Sequence, residues 1–329
     1  MNRKVLNDDK LQELFQAKGY VKLPLLDVHE VQAIIEFIKT LKPDDSFRPK
    51  GGNLYNPSTY HCSFLDTNVE YKRKVRDFLM SVFLPHTDEI LCGYQILNIN
   101  FYVKQPGSGV FQIHQNWPST PVEDTSVTVW CPLLDVNGHN GGIQVVEGSH
   151  KIIPDIASLH APIFFKQFEA ELIRDYLKPI PMSAGEGLVF DDSLIHWSSD
   201  NNSDKPRFAI QIEMLPNEVT PRYYHFDKLT NQFEIFAVDA EYYINHNMSD
   251  LLERPKGQTS LGYFENKNRE LSLEEFGMKM KKGPKTRAEL YQSKNIKSYL
   301  CEKYFRINPF KIILKKMGML KSNYSMKSK

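Results

Sequence analysis

The chain is short of cysteine, of net charge and of long apolar runs, and each shortage removes a class of protein. Its four cysteines, Cys62, Cys92, Cys131 and Cys301, are scattered through 329 residues. None forms a C-x-x-C pair, so they build no zinc ribbon and no redox dithiol. Sparse thiols of this kind fit a reducing compartment, and a cytoplasmic protein is expected. Lys and Arg number 41 against 40 Asp and Glu, leaving a net charge of +1. That balance gives no reason to expect a nucleic-acid partner. No run of about 18 apolar residues occurs, so no membrane span is expected. The opening MNRKVLNDDKLQELFQ is polar and lacks a secretory apolar stretch. Internal repeats and long low-complexity segments are missing too.

What is present is aromatic and periodic, with 20 Phe and 16 Tyr to fill a core. Residues 8–18, DDKLQELFQAK, put Leu11, Leu14, Phe15 and Lys18 at helical spacing, with Gly19 as a stop. YVKLPLL alternates like a short strand. Asp27 is placed to cap a second helix, VHEVQAIIEFIKTL, with Val28, Val31, Ile34, Ile35 and Ile38 on one face. Residues 42–63 are rich in Pro, Gly, Asn and Ser and read as a long loop. A third helix is expected over 68–84, ending before Pro85.

From about residue 92 the texture changes to short β-branched or alternating runs: GYQILNINFYVK, TSVTVWCPLLDV, GGIQVVEG, EGLVFDDSLIHWSS and RFAIQIEML. The turn clusters PGSG, NGHNGG, SAGEG and DNNSDKP separate them, the pattern of an antiparallel barrel or sandwich. A helical insert is expected at 163–178. From Glu253 the chain becomes Lys-rich and weakly apolar. The expected division is therefore 1–252, helices plus a β domain, and 253–329, an extension packed on or beside that core. Within the extension, YLCEKYFRINPFKIILKKMGMLK at 299–321 mixes basic and apolar residues and reads as a helical appendage.

The stretch FQIHQNWPST holds His114 two residues before Asn116. Residues i and i+2 of a strand share a face, so the two side chains are expected to project together. A nonheme iron site takes two histidines and a carboxylate on one side of the metal and leaves the rest open. The second histidine must come from a distant strand, and His196 in LVFDDSLIHWSSDNNSDKPRF is the candidate. Eleven residues later Arg207 opens RFAIQIEML, expected to return beside the His196 strand. An arginine inside a barrel is costly unless an anion pairs it. The carboxylate of 2-oxoglutarate is such an anion. His29, His61, His86, His139, His160, His225 and His246 lie in loops or polar contexts and carry no such expectation. His150, in GSHK, reads as a structural hydrogen-bonding group.

These blocks, taken in order, resemble the phytanoyl-CoA dioxygenase family of iron(II)/2-oxoglutarate oxygenases. The resemblance runs from about residue 8 to 216. It covers LQELFQAKGYVKLPLL and VHEVQAIIEFI, then HQNWPS, SVTVWCPLLDVNGHNGGIQVVEGSHK and AGEGLVFDDSLIHWSSDNNSDKPRFAIQ. It implies a mostly β protein with flanking helices, built on a double-stranded β-helix of the jelly-roll, cupin-like type. It implies Fe(2+) with 2-oxoglutarate as cosubstrate and O2 as oxidant. His114 and His196 match the iron-binding histidines, and Arg207 the arginine that grips the distal carboxylate. Ser198 matches a hydroxyl that joins that grip, and Trp130 a tryptophan near the cosubstrate. Asn98, Asn100 and Lys104 lie on a strand that lines similar sites, and Asn100 is placed with the cosubstrate-binding residues.

The departure is Asn116, where the family pattern is H-x-D. A carboxamide offers a neutral lone pair in place of a charge, so weaker metal binding is expected. Three readings stay open. Asn116 serves as a ligand or leaves a water-filled position. A nearby carboxylate, Glu123, Asp124, Glu147, Asp191 or Asp192, substitutes. Or the protein is an inactive relative that binds 2-oxoglutarate or another ligand. If it is an enzyme, the reaction releases succinate and CO2. Hydroxylation of a small molecule is then the default, with cyclisation or desaturation open. The substrate, of secondary-metabolite or amino-acid type, is not legible. Trp117 and Trp197 flank the ligand positions and are candidates for its walls.

Overall fold

A computed structural model describes residues 3–49, 59–109, 111–116, 118–121, 124–151, 158 and 161–281. Trp117, Glu123, His160 and the basic stretch 299–321 lie outside the described residues.

Local sequence sets the first three helices. Helix α1, Asp9–Lys18, starts where the Asp8 side chain accepts from Leu11 N at 2.8 Å. It ends at Gly19, whose φ of +86° lies in the left-handed region. Strand β1, Tyr20–Pro24, follows. Helix α2, Val28–Thr40, opens with a capping box between Asp27 and Glu30. After β2, His61–Cys62, helix α3 runs from Val69 to Ile90 and passes through Pro85. The expected stop at 84 is thus corrected. Tyr71, Val75, Leu79, Phe83 and Thr87 form one buried row at every fourth residue. Packing of that row continues across the proline and outweighs its lost hydrogen bond.

The strands then follow: β3, Tyr94–Lys104; β4, Phe111–His114; β5, Val127–Pro132; and β6, Ile143–Val145. The expected helical insert is instead a relay of short turns: 3-10 at Lys166–Phe168, α4 at Glu169–Glu171, and a π turn at Leu172–Tyr176. None has a side-chain cap, which is why no longer helix forms. Next come β7, Lys178–Pro179; β8, Glu186–Asp191; β9, His196–Ser198; and β10, Arg207–Pro216. The chain continues through β11, Arg222–Asp227; β12, Gln232–Ala237; α5, Ala240–Asn245; and α6, Met248–Leu252. It closes with β13, Ser260–Glu265, and α7, Leu273–Lys281. Among the described residues no helix is long and apolar enough to cross a membrane.

Two antiparallel sheets make the jelly-roll: a six-stranded one, β1-β8-β5-β10-β3-β2, and a four-stranded one, β4-β9-β6-β7. A third sheet, β11-β12-β13, joins the Lys-rich segment past Glu253 to what precedes it. Farther on, Phe276 of α7 is fully buried with Phe168 and Leu172.

Strand parity divides the six-stranded sheet. Ile210, Ile212 and Met214 of β10 join Phe101, Val103, Val127 and Val129 under α2 and α3. Each such buried side chain contributes about 1.5–3 kcal/mol. The alternate residues Arg207, Ala209, Gln211 and Glu213 turn the other way, toward the four-stranded sheet. Ala209, Trp130, Leu188 and Phe190 pack there with Ile143 and Val145.

Gly19 holds the junction behind this interior. A Cβ there would lie 2.3 Å from His150 Nδ1 and 2.8 Å from Leu194 Cδ1. We expect Gly19→Ala to cost about 1–3 kcal/mol, from the left-handed backbone and this clash, measurable as a lowered urea midpoint.

Candidate active site

The run LVFDDSLIHWSS, expected as one strand, is two. The Asp191 side chain accepts from Ser193 N at 2.9 Å and from Ser193 Oγ at 2.5 Å. Leu194 N then donates to Asp191 O at 2.8 Å. This Asx turn carries the chain from β8 in one sheet to β9 in the other. His196 therefore opens β9, directly across the ladder from His114 at the end of β4. β10 does not return beside the His196 strand as expected. It pairs with β3 and β5, so Arg207 comes from the facing sheet. Adjacency in sequence does not decide pairing when the intervening loop changes sheets.

The two imidazoles lie with centroids 4.2 Å apart, tilted by 52°. His114 Nδ1 is 2.7 Å from Gln112 O, and His196 Nδ1 is 2.9 Å from Leu194 O. A carbonyl only accepts, so both Nδ1 atoms donate and both Nε2 atoms keep a lone pair. Burial pushes the His114 pKa down to about 4. Burial, and then the neighbouring His114, push His196 well below the usual range. Both rings are thus neutral at pH 7, as metal ligands must be.

Asn116 lies just past β4 rather than on it. Its backbone N donates to Asp192 O at 2.8 Å. Its side-chain Nδ2 donates to Thr128 Oγ1 at 2.6 Å, and Asp192 Oδ1 lies 3.4 Å away. The same side chain stands against His114. Among the described residues no three His, Cys, Asp or Glu side chains converge on a metal position. Of the carboxylates that could substitute, Glu123 lies outside the described residues, and the other four are placed elsewhere. Glu147 accepts from Tyr20 Oη at 2.9 Å and faces Lys178 at 3.6 Å, while Asp191 is spent on its turn. Asp124 N bonds Pro121 O in a loop, and Asp192 stands behind Asn116. Among the described residues, the possible donors gathered here are two imidazoles and one carboxamide.

Across the cavity Arg207 is 3% exposed. Its guanidinium lies 5.6 Å above the Trp130 ring, and Nη2 donates to Ser198 Oγ at 3.3 Å. Its Nε has no hydrogen-bond partner among the described residues. Beside it, Lys104 Nζ donates to Ser198 Oγ at 2.8 Å and to Ser199 O at 2.6 Å. Burial, and then the charge of Arg207, push Lys104 down to about 6. Burial also pushes Arg207 down to about 10. Arg207 keeps its charge with no buried anion beside it among the described residues, and with Lys104 it forms an anion pocket. Tyr60, Tyr102, Ile143, Phe190, Trp197 and Gln211 complete a cavity of ≈ 480 Å³ with the histidines, Arg207, Lys104 and Trp130.

The phytanoyl-CoA dioxygenase (PhyH) profile matches residues 15–209, which hold every one of these side chains except Gln211. The chain belongs to the phytanoyl-CoA dioxygenase family. No curated protein matches it in sequence. Solved structures similar to it include the non-heme alpha ketoglutarate dependent epimerase SnoN from nogalamycin biosynthesis. It is 18% identical at a TM-score of 0.46, over 65% of this chain and 82% of that one. The carbocyclase SnoK from the same biosynthesis is 17% identical at 0.47, over 65% and 86%. HygX from Streptomyces hygroscopicus, solved with nickel, 2-oxoglutarate and hygromycin B, is 14% identical at 0.45, over 64% and 88%.

Within this family member, His114, His196, Arg207, Ser198 and Trp130 meet at the cavity, with Asn116 beside His114. Asn100 does not. It lies two residues before Tyr102 along β3 and lines a second cavity of ≈ 260 Å³ with Lys72 and Tyr243. The resemblance gave it the right strand, and it shares the face of Tyr102, but it sits at another level. Lys104, two residues beyond Tyr102 on the same face, reaches the site instead. Thr128, Gln211 and Glu213 went unread, although Gln211 and Glu213 share the parity of Arg207, and Asp192 was read only as a substitute ligand.

Glu213 stands opposite Thr128 and Asn98 in the ladders. Burial, and then the charge of Asp192, push its carboxyl up to about 8 from an ordinary 4.5. The folded protein keeps it protonated up to that pH, while the unfolded chain loses the proton above 4.5. Stability is therefore lost progressively between those values as pH rises. Glu213→Gln is expected to raise the melting temperature by a few degrees at pH 8 and to leave it unchanged near pH 4, checked by melting curves across that range.

Proposed function

We propose that this protein is an iron(II)- and 2-oxoglutarate-dependent oxygenase acting on a small-molecule substrate, with release of succinate and CO2. The observation that carries the reading is the pairing of His114 and His196 across one cavity from the buried Arg207. The residues fit the groups. Two neutral imidazoles with Nε2 lone pairs suit a divalent ion of the iron series. The orphaned Nε of Arg207 and the adjoining Lys104 suit a carboxylate.

Iron with its cosubstrate supplies the oxidising chemistry when bound. The chain supplies the setting. His114, His196 and the Asn116 oxygen would hold the metal. Arg207 would take the far carboxylate, with Ser198 and Lys104 beside it. Trp130 covers the guanidinium, and Ile143 and Phe190 keep water from the reacting end. Hydroxylation is the default outcome, since a held substrate C–H near the metal needs no further group from the protein.

A second reading, a binding protein without turnover, is favoured by one observation: among the described residues no carboxylate joins the two histidines. Succinate formation from 2-oxoglutarate, with iron(II) and ascorbate, separates the two. We expect slow uncoupled turnover even without the true substrate. Neither succinate nor metal-dependent 2-oxoglutarate binding would leave the second reading standing. By calorimetry, Arg207→Ala is expected to weaken 2-oxoglutarate by about tenfold or more while Mn(II) affinity holds, as for loss of a charge-assisted contact of about 1.5–3 kcal/mol. His196→Ala is expected to abolish Mn(II) binding.

A further inference from the structure

Asp192 is buried, 3% exposed, and the metal site as described gives it no task. Its surroundings are specific. Thr128 Oγ1 lies 2.7 Å from Asp192 Oδ1 and 2.6 Å from Asn116 Nδ2. A hydroxyl has one proton to give. A carboxylate can only accept, so that proton goes to Asp192. Thr128 must then accept from Asn116, and only the NH2 end of the carboxamide can donate. The flipped carboxamide would set its oxygen against a spent hydroxyl oxygen and, at 3.4 Å, against the carboxylate. The amide orientation is thereby fixed, and Oδ1 is the end left to face His114. The backbone is held as well, by Asn116 N on Asp192 O at 2.8 Å.

We propose that Asp192, acting through Thr128, is the positioning residue for Asn116. It turns the carboxamide oxygen toward the histidine pair and supplies, one hydrogen bond behind, the negative charge the ligand lacks. This rests on the reading of His114 and His196 as metal ligands. Asn116 and Asp192 then work as an exchanged pair. An aspartate at 116 would meet Asp192 at like-charge distance, so it is favourable only when position 192 gives up its charge.

The test is Mn(II) binding to the full chain, followed by electron paramagnetic resonance at neutral pH with 2-oxoglutarate present. Asp192→Asn and Thr128→Val are each expected to weaken Mn(II) by about 10–100-fold, the usual range for a residue bonded to a ligand. Thr128→Ser keeps the hydroxyl and is expected to bind as wild type does. Asn116→Asp alone is expected to gain little, whereas Asn116→Asp with Asp192→Asn binds more tightly than either single variant. A merely structural Asp192 would make the two substitutions additive. Additivity, or affinities within about twofold of wild type in both Asp192→Asn and Thr128→Val, overturns the proposal while leaving the metal site intact. If Asp192→Asn fails to fold by its melting curve, the contrast between Thr128→Val and Thr128→Ser decides. Wild-type protein that binds no Mn(II), with or without 2-oxoglutarate, overturns the metal reading and this proposal together.

Discussion

His114 stands opposite His196 in a ladder between strands of four and three residues, and the cavity is organised around that pairing. Strands this short do not hold each other alone. Their position is imposed from both flanks. The Asx turn at Asp191 delivers His196, and Asp192 anchors Asn116, two places after His114. Each imidazole is then fixed by a carbonyl two residues upstream in its own strand or turn, Gln112 for one and Leu194 for the other. The site is thus built from backbone contacts before any ligand enters.

The facing strand gives the interior an electrical direction. β10 sets Arg207 at its start and Glu213 six residues on, with Ala209 and Gln211 between them on the same face. At about 3.4 Å per residue the two ends stand roughly 20 Å apart. Lys104 joins the basic end, opposite Arg207 on β3, and Asp192 couples electrostatically to the acidic end. The anion pocket and the Asn116 carboxamide therefore lie toward opposite poles of one barrel. A dianion held at the basic pole does not have to compete with the buried acids.

Much of this was legible in the sequence, and the misses have physical causes. Helices α1 and α2 announce themselves through Asp8, Gly19 and Asp27, because caps are local chemistry. Pro85 misled, since its local penalty is outweighed by a tertiary row that begins fourteen residues earlier at Tyr71. The histidines and Arg207 could be read because each sits at a strand end beside a polar loop. The partner of β10 could not, because pairing depends on which sheet the intervening chain has entered. Asn100 shows the limit of parity, which reports a face and not a depth. Asp192 left no periodic trace at all. Its place follows from the turn in which it sits, and DDS was read as the continuation of an apolar strand.

That turn has a further consequence. Asp192 and His196 are four residues apart, and the turn positions both, one behind Asn116 and the other across from His114. The segment 191–196 therefore behaves as a gauge block, whose length sets two separations at once. Exchange of a side chain within it alters one contact. Insertion or loss of a single residue would shift both, and no compensating change on β4 alone could restore them. Tolerance in this part of the chain is accordingly for composition and not for length.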